Sequence, residues 1–414
     1  MKNDGKSRGR RPRATTNPLS KRFYESARPD GRFVDTRAFT YYLLKNARPR
    51  LAFDPDMSGD EFARWRGKVR DKMREILDFP TPPPQPEPRM IWSKQREGYA
   101  LQRWESFPED GCVIPFLLLV PDGVSAANPA PGVLCIPGTL TGKEQTAGEP
   151  VLKPEHFFEK PHAWMLENNR FAKHFARAGY MAAAVDHINS TEQNQARLPA
   201  KVPASYQYQN LTSHEQTLRW LGRDSVCMAL FHKYVILQWL KAMPCVNGRG
   251  VAIAGHSLGA SEAMWLALVD SEVRAIVYND NIETAGSQRA RGLMTGLQLR
   301  VRRIPGSLAW FDKIDTLAAL APCPLLVSEG GRADAAALLR KAYRIAGVPR
   351  HFTFVHYPKY AKRSARKHDR KPLPEFSLDM TYYKHINCDW PTHCFRIGAA
   401  LPWMQKHLPP VCRQ

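Results

Sequence analysis

Several things are missing from this chain of 414 residues, and each absence excludes a class of protein. No apolar run approaches the roughly 18 residues a membrane-spanning helix needs, so no span is expected. The N-terminus is basic but has no apolar segment behind it, and the Arg10-Arg11 pair lacks the hydrophobic stretch a twin-arginine signal requires, so a cytoplasmic protein is expected. The 8 cysteines show no C-x-x-C spacing, which argues against a zinc site or a disulfide scaffold and for reduced thiols. No glycine-rich phosphate loop, dinucleotide fingerprint or metal-ligand cluster is present, so no cofactor and no metal are implied. There is no internal repeat.

What the chain does have is apolar material and positive charge. A hydrophobic fraction of 43% supports a real core, and the length allows one large α/β domain with an extension. The formal net charge is +21, with basic residues clustered at Lys2, Lys6, Arg8, Arg10, Arg11 and Arg13, at Arg300, Arg302 and Arg303, and between Lys359 and Lys371. Such a balance attracts polyanions, but no nucleic-acid-binding motif accompanies it, and a solvated surface explains it equally well.

Three regions follow from composition. Residues 1–17, rich in Lys, Arg, Gly and Thr, read as a disordered basic tail. Residues 18–88 read as a helical extension: Ser58 and Glu61 have capping-box spacing, Phe62, Trp65, Val69, Met73 and Ile76 fall on one helix face, and Phe79-Pro80-Thr81-Pro82-Pro83-Pro84-Gln85-Pro86 is a stiff connector. That apolar face needs cover, so the extension is expected to dock on the main domain and to border the mouth of the site. Residues 89–414 then alternate strands and helices. Tyr99 to Phe107 and Cys112 to Val120 read as an antiparallel pair. Strands are expected at Gly132–Ile136, Tyr180–Val185, Val251–Ala254, Val273–Val277, Pro324–Val327 and His351–Val355, and helices near 168–178, 217–242, 260–268, 333–345 and 395–407. This spacing implies a mostly parallel sheet with helices on both faces.

The central stretch is Gly250 to Leu268. An apolar run meets Gly255-His256-Ser257-Leu258-Gly259, a G-x-S-x-G sequence, and a helix-forming segment follows. Strand, tight turn and helix are the context in which such a serine is a nucleophile, and a side chain at either flanking glycine would collide with its surroundings. The other reading is a tight turn whose serine caps the helix. As a nucleophile, Ser257 would have the Leu258 N–H beside it to receive an oxyanion, with the loop after Gly132–Ile136 supplying a second N–H at Thr139, Leu140 being its neighbour.

With the segments Leu134-Cys135-Ile136-Pro137-Gly138-Thr139, Gly255 to Gly259, Ile304 to Asp312 and Leu317 to Leu326, the stretch from about 95 to 410 resembles an α/β-hydrolase. Within that superfamily it is similar to the dienelactone-hydrolase and acetyl-xylan-esterase-like branch. The resemblance implies a Ser-His-Asp triad in the order serine, acid, histidine. It puts the acid after the strand Pro324–Val327, where Asp334, three residues after Gly331, is preferred and Glu329 is an alternative; Asp280, after the preceding strand, is another. His393, directly before the closing helix, is the preferred base, with His385 as alternative and His368 more distant. His256 reads as a structural histidine. His187 and His214 are candidate pocket residues, and Trp164, Tyr206, Tyr208, Trp310 and Phe311 are either core or a platform for an acyl group or sugar. The expected function is hydrolysis of a small carboxylic ester through an acyl-enzyme. A peptidase or amidase on the same fold, or a non-catalytic protein binding a polyanion, are the competing readings.

Overall fold

The computed structural model describes residue 26 and residues 28–80, 87–139, 141–150, 162–188, 191–193, 214–246, 248–283, 303–369, 371 and 379–410. The basic tail, the proline-rich connector from 81 on, Arg300 and Arg302, and Tyr206 and Tyr208 lie outside these residues.

One nine-stranded sheet organises the chain: β1 (Arg89–Arg96), β2 (Tyr99–Ser106), β3 (Ile114–Pro121), β4 (Gly132–Ile136), β5 (Met181–Ala184), β6 (Val251–His256), β7 (Ile276–Asn279), β8 (Leu325–Val327) and β9 (Phe352–Phe354). Their spatial order is β1-β2-β3-β5-β4-β6-β7-β8-β9. β1, β2 and β3 run antiparallel to their neighbours, and from β5 to β9 every pairing is parallel. The expected mostly parallel sheet with an antiparallel edge is therefore present. β1 has no counterpart in the sequence reading, because Arg89-Met90-Ile91-Trp92-Ser93-Lys94-Gln95-Arg96 is mostly exposed and lacks an apolar stripe. Backbone pairing to β2 makes it a strand.

Alternation along the buried strands separates two core layers. Leu134, Ile136, Ile253, Ile276, Leu325 and Val327 face one side. There they meet α2 (Gly59–Leu77), α6 (Ser225–Ala242), α7 (Leu258–Val269), α8 (Lys313–Ala318) and α9 (Ala333–Ile345). Val133, Cys135, Ala182, Ala184, Ala252, Ala254 and Val277 face the other, where many alanines leave room for the bulky residues of α5 (Phe171–Arg177) and α11 (Ile397–His407). Further helices are α1 (Thr36–Asn46), α3 (Lys143–Ala147), α4 (Ala163–Asn168) and α10 (Asp379–His385). Among the described residues no helix is long and apolar enough to cross a membrane. The helix expected over 217–242 breaks at Leu221-Gly222-Arg223, and Asp224 starts α6 anew by accepting from the amides of Val226 and Cys227.

α2 forms as its pattern dictates. Ser58 and Glu61 make a reciprocal capping box, and Phe62, Trp65, Val69, Met73 and Leu77 are buried in the same core layer as the sheet. Its arginines fix where it docks. Arg70 Nη1 donates to the carbonyls of Ala267 (3.2 Å) and Leu268 (2.9 Å), and Arg74 Nη2 donates to that of Val269 (3.1 Å). These are unpaired carbonyls of the last turn of α7, where cationic donors are favoured. α2 thus holds the end of α7 remote from Ser257, about 18 Å away at 1.5 Å per residue. The docking of the extension on the main domain is therefore made, for α2, at that far end. Trp310 and Phe311 belong here too: Phe311 is buried in the core, and Trp310 lies under Arg50 and Lys72.

Because Phe62 is 1% exposed within this shared layer, Phe62→Ala should lower unfolding free energy by about 3–5 kcal/mol. A chemical denaturation midpoint unchanged from wild type would contradict a load shared between α2 and the sheet.

Candidate active site

The site lies where β4, β6, β7 and β8 end. β6 delivers the chain to Ser257, which takes φ 53° and ψ −112°, a conformation costly for a residue with a side chain. Close approach explains the flanking glycines. A Cβ on Gly255 would overlap the carbonyl of Gly259, and one on Gly259 would overlap the carbonyls of Ile136 and Pro137. The elbow therefore folds tightly onto itself and onto the end of β4. At Gly138 a Cβ would stand 2.7 Å from His256 Cδ2, so the turn carrying Thr139 also runs against the elbow. Ser257 is 5% exposed and sits at the N-terminus of α7, where the amide of Leu258 begins the helix.

His393 and Glu329 are brought together. His393 Nδ1 lies 2.6 Å from Glu329 Oε2, with the carboxylate out of line with the ring N–H, so the contact is a short ion-pair approach rather than an aligned hydrogen bond. Both side chains are buried. The other carboxylate oxygen of Glu329 accepts from the Cys394 amide (3.2 Å) and lies 3.4 Å from Arg396 Nε. His393 Nε2 is buried without a hydrogen-bond partner among the described residues. The neighbouring rings are those of Trp390, near-parallel at 4.8 Å, and of His256 at 4.6 Å.

The preference for Asp334 as the carboxylate on this histidine is corrected by the geometry. Glu329 is two residues past β8, and Gly330 (φ 71°) and Gly331 (φ 134°) then turn the chain away. A Cβ on Gly331 would overlap the Ile282 carbonyl. Asp334 consequently falls in the first turn of α9, where its carboxylate pairs with Arg332 (3.0 Å) and accepts from the Ala335 amide (2.8 Å). Asp280 turns onto Asn281, accepting from its amide at 2.8 Å. His385 lies against His368, ring centroids 3.9 Å apart.

Asn279, absent from the sequence reading, links these parts. Its backbone carbonyl accepts from Ser257 N (2.9 Å). Its side-chain N–H groups donate to His256 Nδ1 (2.8 Å) and to the Cys394 carbonyl (3.1 Å), and Oδ1 accepts from Ser328 Oγ (2.6 Å) and the Arg396 amide (2.8 Å). The available signal was one polar residue closing an apolar strand, which has many explanations. Burial pushes His256 down to about 3, so it is neutral and free to accept from Asn279. His256, Glu329 and His393 offer ligand atoms within 4.8 Å of one another. Asn279 donates to His256 Nδ1, and Glu329 stands against His393 Nδ1.

Behind the elbow lies a buried charged set. His187 Nε2 donates to the Pro137 carbonyl (2.8 Å), its Nδ1 is 3.2 Å from Glu262 Oε1, and Lys233 Nζ is 3.1 Å from Glu262 Oε2. Burial alone would raise Glu262, but Lys233 and His187 hold it down at about 2. On the other flank Lys143, fully buried, binds Asp186 (2.7 Å), Glu144 (2.8 Å) and Glu192 (2.5 Å), anchoring α3 just beyond the Thr139 turn.

With this geometry in view, the comparisons with known proteins decide the family. The family described as the Abhydrolase family matches residues 17–406. The chain belongs to it. A solved structure from Bacteroides fragilis NCTC 9343, described provisionally as an acetyl xylan esterase, is 32% identical, with 92% of this chain and 97% of that one covered and a TM-score of 0.76. A solved methylesterase is similar in fold alone, at 15% identity and a TM-score of 0.52 over 74% of this chain and 62% of that one. None of the curated proteins matches. The α/β-hydrolase fold expected from the sequence is thereby established for this Abhydrolase-family member.

Two outcomes test this geometry. Gly259→Ala forces a methyl into two backbone carbonyls that cannot swing aside, so it should cost about 3 kcal/mol or more and sharply lower Tm; a Tm within a degree or two of wild type would contradict it. Glu262 is ordinarily protonated near pH 4.5 but in the fold only near 2. Its stabilisation is therefore complete above about 4.5 and lost as pH falls towards 2. Glu262→Gln should flatten the fall in stability over that window, measured by urea titration at each pH.

Proposed function

We propose that the protein is a serine-dependent hydrolase of carboxylic esters acting through an acyl-enzyme, with Ser257, His393 and Glu329 as its triad. The observation that carries this reading is the buried Glu329–His393 pair at the strained Ser257 elbow. A buried carboxylate against Nδ1 favours the tautomer whose Nε2 can accept a proton, and among the described residues Nε2 has no hydrogen-bond partner.

The steps follow from these roles. Ser257 Oγ attacks the ester carbonyl as His393 Nε2 takes its proton, and Glu329 balances the imidazolium. The amides of Leu258 and Thr139 receive the oxyanion, helped by the positive end of α7. His393 then protonates the departing alcohol. Water, deprotonated by His393, attacks the acyl-enzyme; as the acyl–Oγ bond breaks His393 returns that proton to Ser257, and the carboxylic acid leaves. The 32% identity to the provisionally described acetyl xylan esterase supports acetylated sugars as the first substrates to try. Polyanion binding through the basic residues of the N-terminal sequence and of the Lys359 to Lys371 segment is a distinct reading, and the test below separates the two.

A fluorophosphonate should label wild type at Ser257, and Ser257→Ala should abolish hydrolysis of p-nitrophenyl acetate while leaving the fold intact. Glu329→Gln should lower kcat about 10²- to 10⁴-fold, whereas Asp334→Asn should change it less than about threefold. No labelling together with salt-sensitive retention on heparin would overturn the reading for a binding protein. Turnover of peptide amides ahead of esters would overturn it for an amidase. The reverse order of effect at Glu329 and Asp334 would return the acid role to Asp334.

A further inference from the structure

One of the two rings packed against the His393 imidazole, that of Trp390, is not one of the reacting groups. Trp390 lies in the short 3-10 turn Trp390–Thr392, three residues before His393, whose amide donates back to the Trp390 carbonyl at 3.0 Å. The turn therefore fixes indole and imidazole relative to each other. The rings are nearly parallel, 18° apart with centroids separated by 4.8 Å. The same indole is nearly parallel to Tyr383, at 8° and 4.7 Å, and Tyr383 is itself buried. Trp390 is held by its own turn and by α10 in an orientation that presents its face to His393.

An aromatic face carries negative charge density, and a cation over it is attracted most strongly where water is excluded. His393 is 7% exposed. Among the described residues the charged and titratable groups beside it are Glu329 from the turn after β8, His256 from β6, and Arg396, which lies 3.4 Å from Glu329 and over the Tyr357 ring at 4.6 Å. His256 is neutral, and Arg396 shares the charge of Glu329. A positive charge forming on His393 thus has one partly compensated carboxylate and one aromatic face to stabilise it.

We infer that Trp390 is a positioning residue for His393, stacking on the imidazole to fix its plane and to stabilise the imidazolium that forms as the serine loses its proton. The inference rests on the serine-triad reading for its consequence in catalysis, though the stack itself does not. Replacing the indole with an aliphatic side chain leaves Glu329 in place and removes the aromatic face, so the charged imidazole is disfavoured. Its pKa falls, and the transition state that carries that charge rises. Phenylalanine keeps a smaller face and gives a partial effect. A role in packing alone would lower activity equally at all pH.

The test measures the histidine directly. In a Ser257→Ala background with ¹³C-labelled histidine, the His393 resonance is identified by its loss in His393→Gln and titrated by NMR. Trp390→Leu should lower its midpoint by about half to one pH unit relative to the parent, and Trp390→Phe by less. In the active enzyme the same substitutions should move the acid limb of kcat/KM against pH in the same direction, with kcat/KM about 3- to 30-fold lower for Trp390→Leu. Should Trp390→Leu not fold, the smaller shift in Trp390→Phe is still required. An unmoved His393 midpoint in a folded variant, or a uniform loss of rate with no shift of the acid limb, overturns the inference. Full activity in Ser257→Ala or His393→Gln would instead sink the triad reading, and the NMR titration would still decide whether the stack favours the imidazolium.

Discussion

The site depends on the side chain of one buried asparagine. Serine elbow and histidine loop are 136 residues apart in sequence, counting from Ser257 to His393, and belong to different parts of the sheet edge. Asn279, at the end of the intervening strand β7, accepts from the elbow amide, donates to His256, and both accepts from and donates to the chain just after His393. A side chain with two donors and two lone pairs can serve four partners at once, and here all four sites are filled. In a water-free environment such a network has to be complete, because any unfilled position would carry the cost of desolvation.

A second requirement is that the chain segments meeting at the site come closer than side chains normally permit. Gly138, Gly255, Gly259 and Gly331 are each placed where a methyl would overlap or crowd a neighbour. The close fit also explains the buried charges behind the elbow. Once β4 and α7 touch through backbone, the Pro137 carbonyl faces inward, and His187 satisfies it while Glu262 partners His187 and Lys233 pairs with Glu262. Such a set is a poor source of stability in itself but a strict one in geometry.

The sequence makes the sheet legible because its central strands are short apolar runs buried on both faces. It makes Ser257 legible because a positive φ between obligate glycines leaves a short, recognisable signature. Carboxylate choice is different in kind. Spacing after a glycine favours Asp334, but the outcome turns on two consecutive left-handed or extended glycines that spend the intervening residues on a bend and leave Glu329 at the strand end. Strand β1 is hidden for another reason, since it is held by backbone pairing and carries almost no buried side chain. Asn279 and Trp390 act on partners from other elements or through ring orientation, and no local pattern encodes either.

The two arginines of α2 that close the far end of α7 make the N-terminal extension part of the apparatus that holds the elbow's helix. A helix gripped at its tail cannot fray from there, so amide exchange along 258–269 should be as slow as in the central strands.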